Sequence, residues 1–245
     1  MWTPKPCPLW RTGALPIGRC HMSNGPEISV RQVQIPPLGL DGTLRLPLHP
    51  IGVVLFAHGS GSSRFSPRNV AVASVLNDAG FATILLDLLA PEEEGNRGNV
   101  FDISLLADRL IDAIKWIDRD PELSKLPLGL FGASTGAGAA LVAASRVGDR
   151  ISAVVSRSGR PDLAGSALRK VRAPTLLIVG GHDDAVIDLN QQALAQLKSP
   201  KVLSIVPGAT HLFSEHGALE AVSKLASKWF SVHLRQLAVA GSIVL

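Results

Sequence analysis

The sequence predicts an α/β sandwich built on a mostly parallel sheet, and three observations carry that prediction. Six short, nearly continuous apolar runs recur along the chain, of the length expected for strands buried on both faces. Helical patterns lie between them. Two alternating segments come first, and antiparallel strands followed by alternating β and α elements pack best in this architecture. The 245 residues fit one large domain, and 46% hydrophobic against 18% charged residues supply a core.

The elements follow in order. Residues 1–27 are expected to be a disordered extension, with Met22 as an alternative start: Pro4, Pro6, Pro8 and Pro16 interrupt any signal-peptide h-region. The domain is placed at 28–235 and a short apolar tail at 236–245. Residues 29–35 and 43–48 alternate as half-buried strands, with turn chemistry at Gly39, Asp41 and Gly42. The continuous runs are 52–59, 81–89, 126–134, 151–159, 174–181 and 201–208. Ile103, Leu106, Leu110, Ile114 and Ile117 make a helical stripe after an Asp102 N-cap. Leu219, Val222, Leu225, Trp229 and Val232 make another near the end. Residues 90–100 read as an irregular insertion, and no stretch is long enough for a separate cap domain.

Composition excludes several classes. The longest apolar runs are about eight residues, against roughly 20 for a bilayer span, so no membrane partner is expected. The net charge of +4 includes Lys5, Arg11 and Arg19 of the acid-free first 25 residues, leaving +1 for the rest and little to attract nucleic acid. Cys7 and Cys20 are the only cysteines and both precede the domain, so neither a disulfide framework nor a cysteine nucleophile fits the core. A cytoplasmic location is expected.

In an open parallel sheet, ligands bind beyond the carboxyl ends of the strands. Those ends carry His58, Gly59, Asp87, Ser134, Ser158, Asp183 and, past the last strand, His211. Gly132-Ala133-Ser134-Thr135-Gly136 is a G-x-S-x-G between an apolar strand and a helix, the turn that exposes a strained serine as nucleophile. Small flanking residues allow the backbone to approach closely. The glycines fit neither G-x-G-x-x-G nor a P-loop, which argues against a nucleotide site. A serine needs a base, and His211, 77 residues on in Pro207-Gly208-Ala209-Thr210-His211, follows the last strand; His216 is the rival, expected in the first turn of the final helix. Of Asp183, Asp184 and Asp188, Asp183 best fits the turn after strand 174–181 and would hold the tautomer of His211.

Asp87 reads as structural and His58 as a loop brace. The oxyanion amides are assigned to Thr135 and to Ser60, with Gly59 as the alternative. Ser62, Ser63 and Arg64 read as a solvated turn, and Arg97, Arg157 and Arg160 as solvated surface. No H-x-x-x-H or H-E-x-x-H spacing suggests a metal.

With these motifs in register, the chain resembles the α/β-hydrolase superfamily, most closely its dienelactone hydrolase-like branch. The resemblance covers about residues 28–235 and rests on His58-Gly59-Ser60-Gly61, the Gly132–Gly136 turn, Gly180-Gly181-His182-Asp183 and Gly208–His211, with the order Ser134, Asp183, His211. It implies an eight-stranded, mostly parallel sheet flanked by helices, no cofactor, and hydrolysis of a small-molecule ester. Ser134 stands where dienelactone hydrolases proper have cysteine, which points to a serine carboxylesterase-like enzyme. Acyl transfer, amide or lactone cleavage, or ligand binding without catalysis are the alternatives. Residues 85–94 also resemble members found beside phosphoribosyltransferase domains.

Overall fold

A computed structural model of the protein describes residues 27–234. Residues 1–26 of the expected extension and the C-terminal tail lie outside the described residues. The strands are β1 (Ile28–Ile35), β2 (Leu40–Pro47), β3 (Gly52–Ala57), β4 (Phe81–Leu86), β5 (Leu128–Ala133), β6 (Ile151–Arg157), β7 (Thr175–Gly180) and β8 (Lys201–Val206). The helices are α1 (Pro67–Asp78), α2 (Pro91–Glu94), α3 (Arg97–Phe101), α4 (Ile103–Ile117), α5 (Thr135–Val147), α6 (Asp184–Gln196) and α7 (Ala218–His233).

The eight strands form one sheet in the order β1-β2-β4-β3-β5-β6-β7-β8. The pairs β1–β2 and β2–β4 are antiparallel and all others parallel. Chain direction across the sheet reverses at β3: β4 lies on one side of it and β5 on the other. Such a switch opens a crevice beyond the strand ends, and here the loop after β3 and the turn after β5 border it.

The continuous apolar runs have their physical reason in this order. Every residue of β3, β4, β5 and β7 is buried, because helices cover both faces. One layer sets α4 and α5 against Leu55, Ile84, Leu130 and Val154; the other sets α1 and α7 against Phe56, Phe131, Val155 and Ile178. The Asp102 cap holds, its side chain accepting from the Leu105 amide at 2.9 Å. In α5 every residue from Thr135 to Ala144 is buried, and its small side chains let the helix lie close to β5.

Four expectations need correction. The run at 201–208 is an edge strand, with Val202 and Ile205 each 44% exposed, because nothing pairs beyond β8. The buried stripe of α7 is Ala218, Val222, Ala226 and Phe230, rotated from the predicted one; Val232 is exposed, since alanines serve where helix and sheet approach closely. Residues 90–100 are not irregular but form α2 and α3, capped by a Glu93–Ala90 bond and by Asn96. His216 precedes α7 rather than lying in its first turn.

Phe230 is fully buried and packs against Phe81 at a centroid separation of 6.4 Å. A Cβ added at Gly129 would press within 2.6 Å of its ring, so the aromatic ring fills the space that this glycine leaves. Phe230→Ala should therefore destabilise the domain by about 3–5 kcal/mol, read as a lower urea midpoint with an unchanged m-value.

Candidate active site

Ser134 follows β5 with φ 51° and ψ −122°, a left-handed conformation that a residue with a Cβ adopts at a cost of about 1–3 kcal/mol. Its surroundings hold it there. A Cβ on Gly132 would collide with Ala137 of α5, and one on Gly136 with the carbonyl oxygens of Ala57 and His58. The two glycines thus let helix, strand and the loop after β3 meet at van der Waals distance. The Ser134 amide donates to the Arg157 carbonyl at 3.2 Å, and the Ser134 carbonyl accepts from Arg160 at 3.0 Å. The residue is half-buried at the carboxyl end of the strand.

Asp183 sits at the N-cap position of α6, but its carboxylate makes no cap bond there. It reaches His211 instead, accepting from Nδ1 at 2.7 Å. That bond places the proton on Nδ1 and leaves Nε2 with a lone pair when the ring is neutral. The Asp183 side chain is 15% exposed and His211 39%, so the pair runs from the protein interior to the surface of the cleft. Asp184 and His182 are exposed.

The two loops that carry this pair are locked together. Gly180 lies under the carbonyls of Ala209 and Thr210, too close for any side chain, and the His182 amide donates to the Ala209 carbonyl at 2.9 Å. Sequence reasoning missed the further brace at Glu215. Its carboxylate accepts from the Thr210 hydroxyl at 2.6 Å and the Thr210 amide at 3.1 Å, next to His211. Those bonds hold the Glu215 carboxyl below the usual carboxylate range.

His58 braces the other side as expected. Its Nδ1 donates to the Gly59 carbonyl at 2.9 Å, and Nε2 accepts from the Leu88 amide at 3.2 Å. Gly59 lies against Ser134, where an added Cβ would be 2.9 Å from the serine Cβ. Asp87 is structural, pairing with Arg64, which also reaches Asp41 at 3.2 Å. The 62–64 turn is therefore not a solvated one: Arg64 is tied down and its side chain is only 17% exposed. The Ser60 amide, assigned to an oxyanion, donates to the Thr135 hydroxyl at 2.9 Å. That hydroxyl stands where a negatively charged oxygen would compete for the same proton.

Arg160 forms a two-point pair with Asp162, and Arg97 is exposed at the cleft. Arg157, expected at the surface, is 6% exposed. A cleft of about 820 Å³ opens beside Ser60 and Thr135, walled by Phe65, Leu88, Leu89 and Phe101. Among the described residues no cluster of histidine, cysteine and acidic side chains has the makings of a metal site, and no helix is long and apolar enough to cross a membrane.

Comparison with known proteins places the chain by family and fold. The dienelactone hydrolase family matches residues 40–233. A Mycobacterium tuberculosis protein, named as a candidate phosphoribosyl transferase, is 60% identical over 219 residues, covering 89% of this chain and 49% of its own. The chain thus spans about half the length of the curated relatives it matches. The solved structure of a dienelactone hydrolase from Anabaena variabilis aligns with a TM-score of 0.82 and 54% identity, over 86% of this chain and all of that one. Est1E from Butyrivibrio proteoclasticus shares the fold at 17% identity and a TM-score of 0.70, over 83% and 98% of the two chains.

Glu215→Ala should slow fluorophosphonate labelling of Ser134 several-fold with unchanged far-UV circular dichroism, and Glu215→Gln, which keeps one acceptor oxygen, should recover part of it. Folding lowers the Glu215 pKa, so its contribution to stability is present above the usual carboxylate range and lost as pH falls. The difference in melting temperature between wild type and Glu215→Ala should accordingly shrink as pH is lowered from neutrality through and below the usual carboxylate range.

Proposed function

Because the chain belongs to the dienelactone hydrolase family, we propose that it is a serine hydrolase that cleaves carboxylic esters through an acyl-enzyme. The observation that carries this reading is that one edge of the sheet holds both a strained, half-buried Ser134 at a strand-to-helix turn and a His211 whose Nδ1 is held by Asp183. Chemistry follows from that arrangement. His211 Nε2 takes the proton of Ser134 as Oγ attacks the ester carbonyl, and Asp183 stabilises the imidazolium that results. The proton then passes to the leaving alcohol, and water cleaves the acyl-enzyme by the same route.

The negative charge that develops on the carbonyl oxygen is met by the amides of Thr135 and Ser60, with Gly59 as the alternative to Ser60. In this reading the substrate oxygen takes over the Ser60 amide from the Thr135 hydroxyl. Thr135 begins α5, and the positive end of a 13-residue helix adds to the stabilisation. The apolar walls at Phe65, Leu88, Leu89 and Phe101 suit a small or short acyl group, and α2 and α3 form one side of its pocket. The phosphoribosyl transfer named for the mycobacterial relative belongs to a chain about twice as long. The residues matched by the family here are those of a hydrolase.

Ser134→Ala should lower kcat/KM for p-nitrophenyl esters by about four to six powers of ten and abolish fluorophosphonate labelling. A chain-length series from acetate to octanoate should show activity falling beyond the acyl group that the cleft accommodates. Equal rates in wild type and variant, with a wild type that the probe does not label, would overturn the hydrolase reading.

A further inference from the structure

Three arginines near the carboxyl ends of the strands, Arg68, Arg97 and Arg157, have no carboxylate partner among the described residues; Arg97 is exposed, whereas the other two hold buried guanidinium nitrogens. Arg157 ends β6, beside Ala133 of β5 and Ile178 of β7. Alternation along β6 puts its side chain on the face of Ala153 and Val155, the side covered by α1 and α7. Ser156 turns the opposite way, toward Ala137 of α5. Arg157 is 6% exposed, and its Nε and Nη1 are buried with no hydrogen-bond partner. Arg68, in the first turn of α1, also has a buried Nε with no partner, and it lines the cleft beside Ser60 and Thr135.

A guanidinium stripped of water needs acceptors, and an isolated buried charge is strongly disfavoured. The same region shows how this chain ordinarily satisfies one: Arg64 is held by two aspartates. Arg157 and Arg68 have none, and they repel each other. Burial first, and the charge of Arg68 second, push the Arg157 pKa down to about 10. An anion between them would reverse both effects at once. Arg68 itself belongs to the first turn of the 12-residue α1, and that turn carries no acidic residue.

We propose that Arg68 and Arg157 bind an oxyanion group of the substrate, a carboxylate or a phosphate, on the α1 side of Ser134. The word substrate rests on the hydrolase reading; the anion site itself does not. Planar guanidinium groups bind both oxyanions by paired N–H donation, so the chemistry is shared and the source is a matter for experiment.

The test uses the full chain. Melting temperatures are measured in sodium phosphate, sodium acetate and sodium chloride at equal ionic strength, for wild type, Arg157→Met, Arg68→Gln and Arg146→Gln. Arg146 is an exposed arginine on α5 paired with Asp108, so its variant controls for loss of one positive charge. Arg157→Met replaces an unpaired buried cation by an apolar side chain of similar length, and it should fold. The expected result is stabilisation of wild type and Arg146→Gln by phosphate or acetate over chloride, absent in the other two. Phosphate alone acting would assign a phosphorylated substrate, and acetate alone a carboxylate-bearing one.

The same anion should slow fluorophosphonate labelling of wild-type Ser134 while leaving Arg157→Met labelling unchanged. No anion-specific stabilisation in wild type, or equal stabilisation in Arg157→Met, would overturn the site. Stabilisation without slowed labelling would overturn its assignment to substrate. Failure of labelling in wild type with anion stabilisation intact would count against the hydrolase reading and leave the anion site standing.

Discussion

The contact on which the rest depends is the one between the turn after β5 and the loop after β3. At Gly136 the backbone of α5 touches the carbonyl oxygens of Ala57 and His58, with no space for a single methyl group. At Gly132 the strand touches Ala137 in the same way. These two approaches fix where α5 begins, and the chain can enter the helix only by taking Ser134 through a left-handed conformation. The strain is local and stays because the surrounding sheet is buried on both faces and cannot relax to relieve it. The same contact brings Gly59 against the serine and the Ser60 amide against Thr135, so the serine and the amides around it are set by one piece of packing.

A similar device recurs at the other end of the site. Gly180 allows the loop after β8 to lie across the end of β7, and this brings His211 to Asp183. Two close backbone approaches, each permitted by glycine, thus set the positions of three side chains that come from separate strands. Rigid elements hold Ser134, Asp183 and His211, while the walls of the cleft come largely from α2, α3 and the loop after β3, which are the more exposed parts. The arrangement separates these three side chains, fixed by the sheet, from the shape of the cleft, set by surface segments.

Much of this was legible in the sequence because the signals are local. A G-x-S-x-G between an apolar strand and a helix encodes its own turn, and the order of serine, acid and histidine follows from strand ends. Strand and helix positions were readable wherever burial on one or both faces imposed a period. What was not legible depended on pairing between distant segments. Glu215 bracing Thr210 and Arg64 meeting Asp41 and Asp87 leave no periodic trace. The α7 stripe was misread because alanine marks close helix–sheet contact as surely as leucine marks a core, yet carries little hydrophobic signal. Residues 90–100 hid two short helices, because helices of four and five residues depend on capping bonds more than on pattern.

Arg157 shows where the two kinds of reasoning diverge. From the sequence, an arginine at a strand end near two others reads as surface, because arginine usually stays in water. Its strand, however, is flanked by β5 and β7, and its face is the one that α1 and α7 close over. An edge strand would have left the same side chain in solvent, and β8 does leave Lys201 there. Burial of the charge is therefore a consequence of strand order, set far from Arg157 itself. The proposed anion site depends on that burial, because a solvated guanidinium would have water to satisfy its N–H groups, whereas Nε and Nη1 of Arg157 have no partner.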